Sequence, residues 1–329
     1  MRPLLTLLFG LAISPVRAEL NSEGLPAGAA GIIGLDLTLS RKTKLGHTIE
    51  KLVSAKAEKG MKFASKLNQE LGIDIARDLS GVVFATYQIE DFIGDFIDLE
   101  NGRVIDFSKE SMPGIALIRG KFLPATIDAF GKNHGIASRK VGQRQAWEAA
   151  PFMAALLKVK ADNDAKKAYI LAYSEKLLVI AGPEFLEPAL ASVDRRERSA
   201  LLPASVKAKF EMTPNAWLYL YADAEKLLHT GDEKLSDAGK MFGKMGLQDL
   251  VLTVDGNAHD HRLVASADFR SPAEAETFRE NLANQFLPAF TDNPHNDVPQ
   301  PFSDFLRSLR VGGEGKKVTL ETTSPRPPR

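Results

Sequence analysis

One order of elements is written twice along this chain, and that constrains the fold more than any other feature. Pro26 precedes the apolar run Gly31-Ile32-Ile33-Gly34-Leu35-Asp36-Leu37, and Pro214 precedes Ala216-Trp217-Leu218-Tyr219-Leu220-Tyr221. Each run reaches an acid, Asp36 or Asp223, and passes into a helical stretch. Leu71-Gly72-Ile73 then leads into the next strand-like run in one half, and Met245-Gly246-Leu247 does so in the other. Phe122-Leu123-Pro124-Ala125 with Phe130 corresponds to Phe269-Arg270-Ser271-Pro272-Ala273 with Phe278, Phe following Pro at the same spacing in both. A repeated order has to bury the same kinds of face twice, which points to a duplicated layer architecture.

Within each half the order is strand, helix, strand, strand, helix, strand, the βαββαβ of ferredoxin-like folds. The sequence therefore predicts an α+β protein of two tandem ferredoxin-like repeats, each an antiparallel sheet with helices on one face. The first repeat, 19–205, carries insertions at 88–113 and 145–195; the second spans 206–322; a Pro/Arg tail, 323–329, is extended and mobile.

Local patterns fill in this frame. Leu45, Ile49, Leu52, Val53, Ala57, Met61, Ala64, Leu67 and Leu71 recur at three- and four-residue steps, as one buried helix face requires. Strands are predicted at 79–87 and 115–120, and a hairpin at 168–181 turning on Ser174-Glu175-Lys176. Helices follow at Pro124 to His134 and Pro183 to Arg195. Ser271-Pro272-Ala273-Glu274 is a capping box with Pro at the first helical position, followed by Phe278, Leu282 and Phe286 on one face.

The amino terminus reads as an export address. Arg2 is a short positive region, Leu4 to Ile13 is apolar, and Val16-Arg17-Ala18 offers small residues at a cleavage site, so residues 1–18 are expected to be a signal peptide. No later run approaches the roughly 18 apolar residues of a membrane span. Removing Arg2 and Arg17 leaves 40 basic against 42 acidic side chains. Charge balance argues against a nucleic-acid binder, which needs a surplus of Lys and Arg. The chain has no Cys and no Asn-x-Ser/Thr acceptor, a combination that favours the periplasm or exterior of a bacterium over a eukaryotic secretory route.

Several of these segments together resemble a group of exported bacterial two-repeat α+β proteins of uncharacterised function. The segments are Asp36 between strand and helix, Leu71-Gly72-Ile73-Asp74 with Asp78-Leu79, the strand at 115–118 running into Phe122-x-Pro124, and Leu178-Val179-Ile180-Ala181-Gly182. The resemblance implies a fold and a compartment and brings no catalytic residue with it.

Chemistry-bearing patterns are sparse. There is no Gly-x-Ser-x-Gly elbow and no His-Glu-x-x-His pair. Gly28, Gly31 and Gly34 stand before and inside a strand, where close backbone approach explains them better than a phosphate cradle. Gly239 to Met245 has neither P-loop spacing nor its hydroxyl. His259-Asp260-His261 follows the turn Asp255-Gly256-Asn257-Ala258; with Gly256-Asn257 as the loop, His259 would face Val254 and His261 would face Leu252, on one side of the sheet. Two His at that spacing are metal candidates without a third ligand, so no stoichiometric transition metal is expected, and no cofactor.

Charge is distributed unevenly. Residues 41–70 hold eight basic groups against three acidic ones, including Lys51, Lys56, Lys59, Lys62 and Lys66, while residues 88–110 hold seven acidic groups against two basic. The acidic segment also carries Phe92, Ile93, Phe96 and Ile97 at helical spacing. The lysines and Phe92 and Phe96 are the binding candidates, their partner an envelope protein or an anionic surface; solvated faces would give the same pattern. The leading functional reading is a non-enzymatic binding or scaffold protein of a bacterial envelope. The alternatives are a periplasmic small-molecule binding protein, its ligand between the repeats, and a metal-dependent hydrolase using His259 and His261.

Overall fold

The computed structural model describes residues 25–26, 28–43, 58–87, 114–158, 168–195, 216–224, 226, 245–256, 261–288 and 307–322. In the first half these form β1 (Gly31–Asp36), α1 (Leu37–Ser40), α2 (Glu58–Leu71), α3 (Ile75–Asp78), β2 (Leu79–Thr86), β3 (Gly114–Gly120) and α4 (Pro124–Asn133). Next come β4 (Ser138–Val141), β5 (Arg144–Glu148), α5 (Ala149–Leu157), β6 (Tyr169–Ser174), β7 (Leu177–Ala181) and α6 (Pro183–Arg195). The second half has β8 (Ala216–Asp223), β9 (Leu247–Gly256), β10 (His261–Phe269), α7 (Pro272–Asn281), a π-helical turn (Leu282–Phe286), β11 (Leu309–Gly312) and β12 (Lys317–Thr322).

All twelve strands join in one open sheet, ordered β11-β12-β10-β9-β8-β1-β2-β3-β7-β6-β5-β4. Outward from the central β1–β8 pair, the strands run β1-β2-β3-β7-β6 on one side and β8-β9-β10-β12-β11 on the other. The two series share one connection order, but it is not the ferredoxin-like one. Every pairing is antiparallel, from β1 with β2 and β2 with β3 to β8 with β9 and β9 with β10. A ferredoxin-like unit is antiparallel too, but it sets its third strand between the first two, whereas here β1 pairs with β2 directly and β3 lies beyond β2. Here the far edge of β1, which a returning strand would occupy, is taken by β8 of the other half. Two separate sheets would each have exposed that edge, and pairing the two edges satisfies both rows of backbone groups.

The join is close. Gly34 of β1 lies directly opposite Tyr219 of β8, and a methyl group at position 34 would run into the Tyr219 ring. The close-approach reading of Gly34 therefore holds.

Helices cover both faces, which corrects the expectation of a single covered face. Successive residues of β3 show it: Ala116 and Ile118 pack with Ile127 and Phe130 of α4 and Phe152 of α5, whereas Ile115 and Leu117 pack with Leu186, Ala189 and Leu190 of α6. The second half continues the first of these faces, where Leu263 and Ala265 of β10 belong to the α4 and α5 core and Ala267 and Phe269 pack with Ala275 of α7.

Local signals placed the elements well. Pro124 and Pro272 each open a helix, and Ser271 caps α7, its Oγ accepting from Glu274 N–H at 3.2 Å and donating to the Glu274 carboxylate at 2.8 Å. Gly72 and Gly246 both adopt positive φ, +68° and +71°, the conformation that glycine tolerates, Gly72 just past the end of α2 and Gly246 just before β9. The 168–181 hairpin forms as predicted. Phe130 is buried against Phe152, while Phe278 is half-buried against Phe269.

The His-bearing hairpin differs from expectation. β9 continues through Gly256, His261 stands opposite Gly256, and Leu263 rather than His259 stands opposite Val254. Ala265 rather than His261 faces Leu252. A one-sided apolar face sets register, and this register puts Leu263 and Ala265 on the core where the two-residue loop would have put imidazoles.

Candidate functional site

The sequence candidates scatter. Lys51, Lys56, Phe92, Phe96 and His259 lie outside the described residues, and His261 is the first residue of β10. Among the described residues no group of three or more His, Cys, Asp or Glu converges as a metal site. Lys59, Lys62 and Lys66 occupy α2. Helix geometry puts these positions within about 60° of one another and about 140° from the side marked by Ala64, Leu67 and Leu71, at about 100° per residue. That second side is anchored: Leu71 is buried in the core and Ala64 and Leu67 pack against it. Lys66 Nζ donates to Gln69 Oε1 at 3.0 Å, and Glu70 pairs with Lys158 at 3.6 Å, tying α2 to the end of α5.

A second basic arrangement, which sequence spacing did not single out, fastens α6 to the far strands. Arg139 stacks over Tyr169 at 4.9 Å and Arg144 over Tyr173 at 4.1 Å. Arg139 donates to the Pro183 carbonyl and reaches Glu187 at 3.8 Å. Arg144 lies 3.9 Å from Asp194, whose carboxylate accepts from the Tyr173 hydroxyl. That bond raises the Tyr173 pKa above the ordinary phenol value. Both arginines are committed to carboxylates and rings, so the cluster serves chiefly as a clamp.

The most perturbed acid of the described residues lies where β1 ends. Asp36 is fully buried, opposite Gly81 of β2 and one residue beyond the Leu35–Leu218 pair with β8. Its Oδ1 accepts from Leu39 N–H at 2.8 Å and so caps α1, while Oδ2 is buried with no hydrogen-bond partner. Thr38 Oγ1 and Trp217 Nε1 are likewise buried and unpartnered at the same end of the sheet. Arg41, itself 6% exposed, follows the turn and reaches the Ile75 carbonyl of α3 at 3.4 Å. Burial pushes the Asp36 carboxyl up to about 6, against the opposing pull of the Leu39 and Thr38 N–H groups and of Lys42 and Arg41. The sequence shows Asp36 only as the acid that closes a strand. An Asp between two apolar segments was the available signal, and its burial depends on β8, which arrives about 180 residues later.

No family model matches the sequence, and no curated protein matches it. The structure resembles TP0453 of Treponema pallidum. Against crystal form I of that protein the identity is 12%, 94% of each chain is covered and the TM-score is 0.43. Against crystal form III these values are 11%, 94% of this chain, 95% of the other and 0.45. Similarity at this level transfers no function. No helix among the described residues is long and apolar enough to cross a membrane.

Proposed function

We propose that this chain is an exported bacterial envelope protein that binds rather than catalyses, presenting the lysine side of α2 to an anionic surface. Removal of residues 1–18 and the division of the mature chain near 205/206 belong to the same reading. What supports it is the disposition of α2: Ala64, Leu67 and Leu71 hold one side to the core, and positions 59, 62 and 66 recur on the other. A row of lysines on a firmly seated helix gains about 1 kcal/mol per residue near an anionic lipid surface at low salt, without needing a pocket.

Co-sedimentation with vesicles tests the proposal. The chain beginning at Glu19 should pellet with vesicles of phosphatidylcholine and phosphatidylglycerol, not with phosphatidylcholine alone, and should be released by high salt. Replacing Lys59, Lys62 and Lys66 together by Glu should weaken binding at least 100-fold, since three contacts worth about 1 kcal/mol each are lost. A wild-type chain that ignores anionic vesicles, or a triple variant that binds them as well as wild type, would sink the reading.

A further inference from the structure

We propose that Asp36 makes the turn Leu37–Arg41 a proton-sensitive latch, closed over the end of β1 when the carboxyl is neutral and loosened when it is charged. The geometry has three parts. The carboxyl is wholly buried, between β2 and the incoming β8. It holds the turn through one bond, Leu39 N–H to Oδ1, and leaves Oδ2 without a partner. The turn in turn carries Arg41, which bonds back to Leu37 through its N–H and to α3 through its guanidinium.

An unpartnered oxygen on a buried carboxylate is costly when charged and cheaper when protonated, because the neutral acid loses less on leaving water. The groups around it do not reverse this. Arg41 and Lys42 favour the charged form, and burial outweighs them. β2 contributes no ionisable side chain. From β8 come Tyr219 and Tyr221, while Asp223 lies at the far end of the strand, beyond the Gly31–Ala222 pair. On α3, Arg77 and Asp78 are occupied with each other at 3.1 Å. Opening the turn returns Asp36 to water and to an ordinary carboxyl affinity for protons. The closed state therefore binds the proton more tightly, and raising the pH through about 6 favours opening.

Amide hydrogen exchange across the turn reads this directly in the full mature chain. After correction for intrinsic rates, protection of the Leu39 and Arg41 amides should fall about tenfold between pH 5 and pH 7.5. Asp36→Asn, which keeps the acceptor and the shape, should abolish that dependence, and Asp223→Asn, at the corresponding place on β8, should leave it intact. Should Asp36→Asn fail to fold, carboxyl carbon NMR of the wild-type protein decides: a midpoint near 6 supports the latch. A midpoint in the ordinary carboxylate range, or protection that does not change with pH in the wild type, overturns it.

Discussion

Asp36 and Asp223 hold the same place in the two halves of the sheet. Each closes the strand at the centre, and each caps the turn that follows, Asp36 by accepting from Leu39 N–H and Asp223 by accepting from Lys226 N–H at 3.0 Å. Around them the halves diverge. Asp223 keeps a fifth of its side chain in solvent and pairs with Lys226 at 3.2 Å, whereas Asp36 is sealed in with an orphan oxygen. Among the described residues the first half also has more cover: α2, α4 and α5 share one core on a single face, and α6 covers the other. Its sheet is extended by the β4–β5 hairpin. Duplicated local chemistry thus gives equivalent caps, and the amount of packing stacked on each cap decides whether the same acid is an ordinary surface group or a strained one.

The largest effect that can break this comparison lies in the helix cores. Phe130→Ala should cost about 3–5 kcal/mol, as truncation of a buried aromatic does, while Phe278→Ala, at a half-buried site, should cost roughly half of that. Chemical denaturation of both variants checks the ratio, and equal losses would mean that the second half is as tightly covered as the first.

Asp36→Asn sharpens the electrostatic side. The folded-state pKa is raised from 3.8 to about 6, so the wild-type carboxyl contributes stability below pH 4 that is lost as the pH rises through 6. The stability of the wild type relative to Asp36→Asn should therefore drop by about 3 kcal/mol between pH 3.5 and pH 7.5, at about 1.4 kcal/mol per unit. Parallel denaturation curves across that range would contradict the buried carboxyl.

Asp223→Ala should cost about 1 kcal/mol, the usual worth of a lost cap, with its exposed partner Lys226 adding little. Urea denaturation of the variant reads the loss, and a cost as large as that of Phe278→Ala would show that this cap is as deeply built in as its counterpart.

The smallest effect concerns Lys158, which ends α5 in the left-handed conformation at φ +55°. Lys158→Gly should stabilise the protein by up to about 1 kcal/mol, reduced by the lost pair with Glu70. A thermal melt that moves downward would show that this ion pair, linking α5 to α2, matters more than the backbone strain.

Much of the fold was legible because much of it is local. Pro124 and Pro272 open helices, Ser271 caps one, and Ser174-Glu175-Lys176 turns a hairpin, each within a few residues of the signal that specifies it. The His hairpin was misplaced because a Gly-Asn dipeptide favours a two-residue loop, while seating Leu263 and Ala265 in the core outweighs that turn preference. The candidate site was less legible still. The lysine row on α2 follows from spacing alone, but the buried acid could be recognised only once its neighbours were known.

By itself the sequence determined the order of elements, the matching caps at Asp36 and Asp223, and the positive-φ glycines at 72 and 246, since each is settled by short-range backbone preference and nearby hydrogen bonds. The tertiary structure alone decided that the two halves share one sheet. Strand edges offer the same N–H and C=O groups to any partner, so no residue code names β8 as the neighbour of β1. The bare backbone of Gly34 makes room for Tyr219, and that pairing brings β8 alongside β1 at the end where Asp36 lies buried.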